Sequence, residues 1–359
     1  MSILIFAVDE DQSYLFVKSK IEERGFECRS YSFYDYPHAC TLAYNYLTDD
    51  IIFDKGNEVF SSNEITAVWS RSLTHNFTHQ YSLPNDEKFV KLHSNELFSS
   101  LPYLMPNAYW LNRNGRHLAK HKTYQLMIAK QAGFSLPEGI IGNSYAALDA
   151  LAKNHDTLAI KPIIHHEFIK TKLKIHPKKA INHLIKKTLH TLNLASLPKD
   201  EPWWSISEEF TAYYTKKFPS SQLVDAQEAI EKCPTIIQSY IPKKLELRVT
   251  VVGQDIFACA IHSQSHAASS DDFRALPDYY KEMKHEPYDL PDNIKQQCLA
   301  LMRLMQLDFG AIDIILTPDD EYVFLEINQS GQWMWVQNQT GLMIGEAIAE
   351  LLIAKSKTN

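Results

Sequence analysis

A mixed α/β (α+β) fold is predicted by three features of the sequence. The chain opens on an apolar strand, Ile3 to Val8, that runs straight into a helical segment, Ser13 to Arg24, stopped by Gly25. Leu245 to Val252 (LELRVTVV) alternates, with Leu245, Leu247, Val249 and Val251 on one face and Glu246, Arg248 and Thr250 on the other. Near the end, Ala311 to Leu316 and Tyr322 to Ile327 read as two apolar strands of a hairpin around Thr317 to Glu321. At 359 residues, with 45% hydrophobic and 22% charged, the chain has material for two or three domains, and the first ends near residue 115.

In that first part, short strands follow the helix at Glu27 to Tyr31, Ile51 to Phe53 and Ile65 to Trp69. A dinucleotide site is excluded there. The turn after Val8 holds Asp9, Glu10 and Asp11 and no glycine, where a pyrophosphate needs bare backbone amides. From Arg116 the pattern becomes helical, with Leu118, Tyr124, Leu126, Met127, Ile128 and Ala132 in period up to Gly133, so one helix is expected over that span. Leu158 to Pro162 is a buried strand that delivers Lys161 just before a chain-turning proline. A lysine there is a phosphate contact or a snorkelling surface residue, and the pattern alone leaves both open.

The polar face of 245–252 admits two readings as well, a solvated surface or a functional wall; Gly253-Gln254 then turns the chain into Ile256 to Ile261. The last hairpin is more specific. If its turn is an even-numbered loop centred on Asp319 and Asp320, Asp313 lies opposite Glu326, and Asn328 projects from the same face. Carboxylate and amide oxygens with no His or Cys suit Mg²⁺ held together with phosphates. The competing reading, polar residues at frayed strand ends, weakens when all three fall in register, because burying an uncompensated carboxylate costs several kcal/mol.

Charge and composition exclude several classes. The net charge of -7 argues against a nucleic-acid binder, which needs clustered Lys and Arg. Five scattered cysteines with no C-x-x-C pair, and an N-terminus without a basic flank or long apolar run, point to a cytoplasmic protein with reduced thiols. No apolar run approaches a membrane span. The pairs His75/His79 and His117/His121 have helical zinc spacing but no adjacent Glu and no third ligand.

In chain order, Lys122, then I-K-P at Ile160 to Pro162, I-I-Q-S-Y-I-P at Ile236 to Pro242, E-L-R at Glu246 to Arg248, D-F-G-A-I-D at Asp308 to Asp313 and F-L-E-I-N at Phe324 to Asn328 resemble the ATP-grasp ligases. The runs K-K-L-E-L-R-V-T-V-V-G, I-H-S-Q-S at Ile261 to Ser265 and L-E-I-N-Q-S-G-Q-W at Leu325 to Trp333 are similar to the microviridin-type, or graspetide, maturases of ribosomal peptides. Val68-Trp69-Ser70-Arg71 and Trp110-Leu-Asn112 look like marks of that subfamily's first domain. The resemblance implies an ATP-grasp fold with an N-terminal pre-ATP-grasp α/β domain at 1–115, a central lobe at 116–235 and a C-terminal lobe at 236–359.

It also implies roles, residue by residue. Lys122 and Lys161 contact the nucleotide, and Gln238, Ser239, Tyr240 and Ile241 form the hinge that reads the adenine edge. Glu246 reaches the ribose or the ion, and Arg248 neutralises the transferring phosphoryl group and the tetrahedral intermediate. Asp313, Glu326 and Asn328 hold Mg²⁺. His262, Asp272, Arg274, Trp203 and Trp204 are candidate substrate contacts. ATP and Mg²⁺ are the implied cofactors, and the implied partners are a precursor peptide with a leader and an acidic core and a second copy in a homodimer, with neither nucleic acid nor membrane. An amino-acid or small-peptide ligase of the glutathione synthetase or ribosomal-protein glutamylating branch is the rival enzyme, and a degenerate binding module the rival non-enzyme.

The chain also departs from the pattern. Ser239 stands where relatives usually carry an acidic residue. A basic insertion near 169–204 is unaccounted for; between His165 and His190 it has seven lysines, five histidines and one acidic residue, Glu167, and reads as a solvated basic helix or as a surface for an acidic peptide. No glycine occurs from 143 to 252, so a phosphate-covering loop there is built from other residues.

Overall fold

The computed structural model describes residues 2–37, 39–71, 84–113, 115–163, 167–175, 204–212, 215–265, 269–271, 273–275 and 279–358. They form two compact units, 1–139 with 238–359, and 140–237.

The first unit begins with β1 (Ser2–Phe6), whose five residues are all buried, followed by α1 (Gln12–Glu23) and β2 (Glu27–Tyr31). Asp11 starts α1 as its cap, its Oδ1 accepting from the Ser13 and Tyr14 amides. Then come β3 (Thr41–Asn45), β4 (Asp50–Asp54), β5 (Val59–Ser61), β6 (Ile65–Ser70), α2 (Pro84–Leu104) and β7 (Tyr109–Trp110). A parallel sheet has the order β2-β1-β6-β7. The strand expected at Ile51 to Phe53 is β4, and it belongs to a separate antiparallel meander, β3-β4-β5. β1 alternates between two cores: Ile3 and Ile5 face α1, whereas Leu4 and Phe6 face an aromatic cluster with Tyr31, Phe33, Phe53 and Phe98.

The single helix expected over Arg116 to Gly133 is two, α3 (Arg116–Ala119) and α4 (Lys122–Gln131). His121 between them is extended, at φ -89° and ψ 112°. Buried Gln125 stabilises the break by donating from Nε2 to the Ala119 carbonyl at 2.6 Å, which satisfies a group the interrupted helix leaves open. Hydrophobic periodicity carries no signal of a break made this way.

The second unit contains β8 (Gly139–Gly142), α5 (Tyr145–Ala152), β9 (Thr157–Lys161), β10 (Glu167–Ile175), β11 (Trp204–Ala212), β12 (Lys216–Pro219), α6 (Gln227–Lys232) and β13 (Thr235–Ser239). Its four-stranded sheet runs β12-β9-β13-β8 over a core of Leu148, Leu151, Leu158, Leu223, Ile230 and Ile237. The basic insertion opens as a strand and not as a helix, since β10 pairs antiparallel with β11 from Glu167 opposite Ala212 to Ile175 opposite Trp204. The sequence Ile169-Lys-Thr-Lys-Leu-Lys-Ile175 has period two, the signal that its charge count conceals. The rest of the insertion, 176–203, lies outside the described residues.

The first unit is completed by β14 (Leu245–Val252), β15 (Asp255–Ile261), α7 (Tyr279–Glu282), β16 (His285–Pro287), α8 (Asp292–Met305), β17 (Phe309–Leu316), β18 (Tyr322–Asn328), α9 (Met334–Thr340) and α10 (Ile344–Thr358). These strands make an antiparallel sheet in the order β16-β15-β14-β17-β18. Leu247, Val249, Val251, Ile312 and Ile314 pack one face onto α8 and α4. Val252, Cys259, Ile261 and Phe309 pack the other into the core shared with α1, α10 and β1. Among the described residues no helix is long and apolar enough to cross a membrane.

Candidate active site

The β17–β18 hairpin reaches the expected pairing by an unexpected route. Leu316 pairs with Tyr322, Ile315 with Val323 and Ile314 with Phe324, so the loop holds the five residues 317–321 and is centred on Asp319 alone. Continued unbroken, that register would set Asp313 opposite Leu325. A bulge between Asp313 and Ile314 takes up Leu325 as an extra residue, and Asp313 pairs with Glu326, Ile312 with Ile327 and Ala311 with Asn328. Phe324 and Ile327, three residues apart, therefore both enter the same core, which an unbulged strand of period two forbids. Asp313, Glu326 and Asn328 share the opposite face.

Neighbouring strands place the cations on that face. Arg248 lies directly across from Asp313 in the β14–β17 ladder, and its Nη1 donates to Asp313 Oδ1 at 2.9 Å. Lys122, the first residue of α4, sits 3.5 Å from Glu326 Oε2, and Arg274 Nη1 lies 3.5 Å from Glu326 Oε1. A lysine at a helix N-terminus opposes the helix dipole, and Glu326 offsets that cost. Lys243 pairs with Glu246 at 3.0 Å and donates to the Asp271 carbonyl. The polar face of β14 is not solvated: Glu246 and Arg248 are each 7% exposed and Thr250 is fully buried.

Several residues to which the sequence reading gave no role in the site hold this arrangement. Gly331 lets Arg248 lie flat, since a Cβ there would come within 2.7 Å of Arg248 Nη2 and 2.5 Å of the Ala311 Cβ. Arg248 Nη2 also donates to the Gln332 carbonyl at 3.2 Å, while its buried Nε has no protein partner among the described residues. Gln125 clamps Ile327 through both halves of its amide, donating to the carbonyl at 2.9 Å and accepting from the N–H at 3.1 Å, which fixes α4 and Lys122 beside β18. Asn112 binds the start of β17 and the chain after β18 through four hydrogen bonds to Asp308, Phe309 and Gln329. The adjacency of Gly331 to Glu326-Ile-Asn328 was a usable signal; Gln125 gave none.

The other expected residues are distributed as follows. Lys161 ends β9 in the second unit, half-buried, its carbonyl accepting from Thr235 Oγ1. Gln238 and Ser239 close β13 and are buried, with Tyr240 and Ile241 following. The Ser239 N–H is committed to the Glu138 carbonyl at 2.7 Å, which removes it as a donor to an incoming base. His262 Nε2 lies 2.7 Å from Glu286 Oε1, and hydrogen bonds from Lys284 first and His262 second hold the Glu286 carboxyl below its ordinary range. Asp272 and Trp203 lie outside the described residues, and Trp204 begins β11.

The donor set fits a hard cation held jointly with phosphates. It comprises carboxylate and amide oxygens only, and no three His, Cys, Asp or Glu among the described residues are grouped to hold a metal by themselves. A glycine-lined approach beside Arg248 and its unsatisfied buried Nε suits an anion in front of that guanidinium. The nearest thiol is no nucleophile: Cys259, across from Arg248 on β15, is pushed up to about 12 by burial and stays neutral.

Comparisons with known proteins bear on the fold that carries this geometry. Residues 216–352 match the RimK-like ATP-grasp domain. A macrocyclase bound with a precursor peptide from Microcystis aeruginosa superposes with a TM-score of 0.77 at 26% identity, covering 98% of this chain and 99% of that one. A ligase of the same fold from Chryseobacterium gregarium, associated with ribosomal peptide products and solved with ADP and a leader and core peptide, gives 0.76 at 25% identity, covering 99% and 97%. A second Microcystis aeruginosa macrocyclase gives 0.69 at 22% identity, covering 98% and 99%, and at that identity supports the fold alone. A comparison with curated protein sequences finds no match. With its RimK-like domain set in a fold shared along whole chains with these enzymes, the protein is an ADP-forming ATP-grasp ligase.

Proposed function

We propose that the protein is a peptide macrocyclase of the graspetide type. It activates side-chain carboxylates of a ribosomally made precursor as acyl phosphates and joins each to a hydroxyl or amine on the same peptide. The observation that carries this reading is the in-register cluster of Asp313, Glu326 and Arg248, within a fold shared along their whole length with two ligases solved with peptides at 25% identity or above.

In this assignment Asp313, Glu326 and Asn328 hold Mg²⁺, and Lys122, Lys161, Glu246 and the hinge from Gln238 to Ile241 hold ATP. When bound, the ion supplies charge neutralisation at the transferring phosphoryl group. The chain's own work is positioning and electrostatics. Arg248, fixed by Asp313 and Gln332, presents its guanidinium where charge develops on the acyl group, a role in which one donor is worth about 3 to 4 kcal/mol. Arg274, His262, Asp272, Trp203 and Trp204 are the candidates for contacts with the peptide. Residues 1–115, 116–235 and 236–359 serve as pre-ATP-grasp domain, central lobe and C-terminal lobe of a cytoplasmic homodimer, whose stoichiometry light scattering would check.

The test is incubation with ATP, Mg²⁺ and a Thr/Ser/Lys- and Asp/Glu-rich precursor. ADP and phosphate should appear only with the peptide, and the product should lose one water per bond formed; release of AMP sinks the reading. Glu326→Gln should abolish turnover; full turnover in that variant would take the metal site away from Glu326, whereas wild-type protein that binds ATP and peptide without releasing ADP would favour a non-catalytic module. The RimK-like match keeps one alternative in view, an amino-acid or small-peptide ligase, whose acceptor would gain mass instead.

A further inference from the structure

At the carboxyl ends of the parallel strands in the first unit lies a cavity of about 180 Å³. β1 has β2 on one side and β6 on the other, so the connections leave it in opposite directions and open a crevice at its carboxyl end, the place where open parallel sheets bind ligands. Val8, Phe33 and Tyr34 wall the cavity, and Asp11, Arg71 and Gln332 supply its polar groups. Arg71 keeps only 7% of its side chain exposed. Its Nε donates to Asp11 Oδ2 at 2.9 Å, its Nη2 donates to Gln332 Oε1 at 3.2 Å, and its guanidinium lies 5.4 Å from the Trp69 ring centroid.

The polar groups left over are donors. Asp11 is engaged on both oxygens, by the Ser13 and Tyr14 amides and by Arg71. Gln332 accepts through its Oε1, so its amide nitrogen remains to donate, alongside the remaining N–H groups of the Arg71 fork. The N-terminus of the twelve-residue α1 adds partial positive charge at the same spot, and the remaining nearby carboxylates, Asp9 and Glu10, are exposed and do not line the cavity. Converging donors around one guanidinium select a carboxylate. Room for one water takes roughly 10–15 Å³, so the cavity admits a side chain but not a nucleotide.

One residue ties this cavity to the reaction centre. Gln332 binds Arg71 with its side chain and Arg248 with its carbonyl. We propose that the Asp11–Arg71–Gln332 cavity is a second carboxylate subsite, resting on the peptide-ligase reading above, which anchors an acidic group of the peptide other than the one being activated and so sets which carboxylate meets Arg248. The carboxylate comes from an acidic side chain or from a chain terminus.

Full-length protein saturated with Mg²⁺ and a non-hydrolysable ATP analogue would be titrated with acetyl-Glu-N-methylamide, acetyl-Gly and the neutral acetyl-Gln-N-methylamide. The readout is the arginine Nε–H NMR signal of Arg71, assigned with Arg71→Lys. Saturable shifts are expected with a Kd on the order of 1 to 10 mM for an acid probe. The Gln probe should bind at least tenfold more weakly, and the tighter of the two acids names the source. Gln332→Glu, at an exposed side chain that does not endanger folding, should weaken the acid probes at least tenfold by setting a rival carboxylate against Arg71. Equal binding of the Gln probe, unchanged binding in Gln332→Glu, or no saturable shift overturns the subsite. None of these outcomes depends on peptide-driven ADP release, so the subsite and the ligase reading fail separately.

Discussion

Gly331→Ala is the sharpest single perturbation of the site, because it adds one methyl at a position the sequence alone would pass as conservative. The new Cβ would stand 2.5 Å from the Ala311 Cβ, 2.7 Å from Arg248 Nη2 and 3.2 Å from the Asn328 carbonyl, where carbon contacts settle at about 3.5 to 4.0 Å. Ala311 is fully buried in β17 and cannot retreat, so either the chain at Gly331 moves or the guanidinium does. Overpacking of this kind costs about 1 to 3 kcal/mol. A displaced Arg248 also strains its bonds to Asp313 and Gln332, and hydrogen bonds to charged groups contribute about 1.5 to 3 kcal/mol each. The expected destabilisation is about 2 to 4 kcal/mol, a fall in melting temperature of about 3 to 5 °C by calorimetry. Peptide-dependent ADP release should fall about 10²- to 10³-fold, the cost of misplacing one electrostatic donor. Gly341→Ala is the control: its Cβ meets nothing within 4 Å, and only its φ of +72° opposes the change, so stability should drop modestly with turnover kept. Wild-type stability and turnover in Gly331→Ala would refute the claim that this glycine sets the pose of Arg248.

Asn112 is buried at φ +65° with its amide in four hydrogen bonds, so Asn112→Ala should cost more than Asn112→Gly by about 1 kcal/mol in urea unfolding, the reverse of the usual order. His285 has its pKa lowered below 6.5, first by burial and further by His262. The unfolded chain then takes up that proton before the folded one, so its contribution is intact above about pH 6.5 and is lost as pH falls toward the depressed value; melting temperatures at about pH 7.5 and 5.5 should fall less in His285→Gln than in wild type.

The elements legible in the sequence were those marked by a clean period or by a short apolar run between turn residues. β14 was readable because its apolar residues alternate, and β15 and the two strands of the last hairpin because they are apolar runs bounded by turns at Gly253-Gln254 and Thr317 to Glu321. The break between α3 and α4 was not, because it is stabilised by the distant partner contacts of Gln125 and not by a local proline or glycine. The pairing of Asp313 with Glu326 was readable only in outcome. An even loop and an odd loop followed by a bulge give the same pairing, and Leu325 itself carries no mark that distinguishes them. The burial of Glu246, Arg248 and Thr250 was ambiguous for a different reason: the alternation of β14 is the same whether its polar face meets water or the helices and sheet contributed by the chain ends.

That burial also fixes how the site must respond to its ligands. Asp313 is paired with Arg248, Glu246 with Lys243, and Glu326 lies between Lys122 and Arg274, so four cations and three carboxylates are largely neutralised by one another. Apart from Arg274, these side chains are 4 to 16% exposed, where an unpaired charge would cost several kcal/mol, so the pairs hold the site together. On the proposed assignment the carboxylates must turn to Mg²⁺ and the cations to phosphates in one exchange. Mg²⁺ alone would leave Arg248 and Lys122 facing a cation, and ATP alone would bring phosphates against Asp313 and Glu326. Binding of the two should therefore be coupled, each tightening the other by at least tenfold in calorimetric titrations, about 1.4 kcal/mol. Asp313→Asn and Glu326→Gln should each reduce that coupling while leaving binding of metal-free ATP the same or tighter. Independent binding of ion and nucleotide would mean that these ion pairs persist in the loaded enzyme and that the metal is held elsewhere.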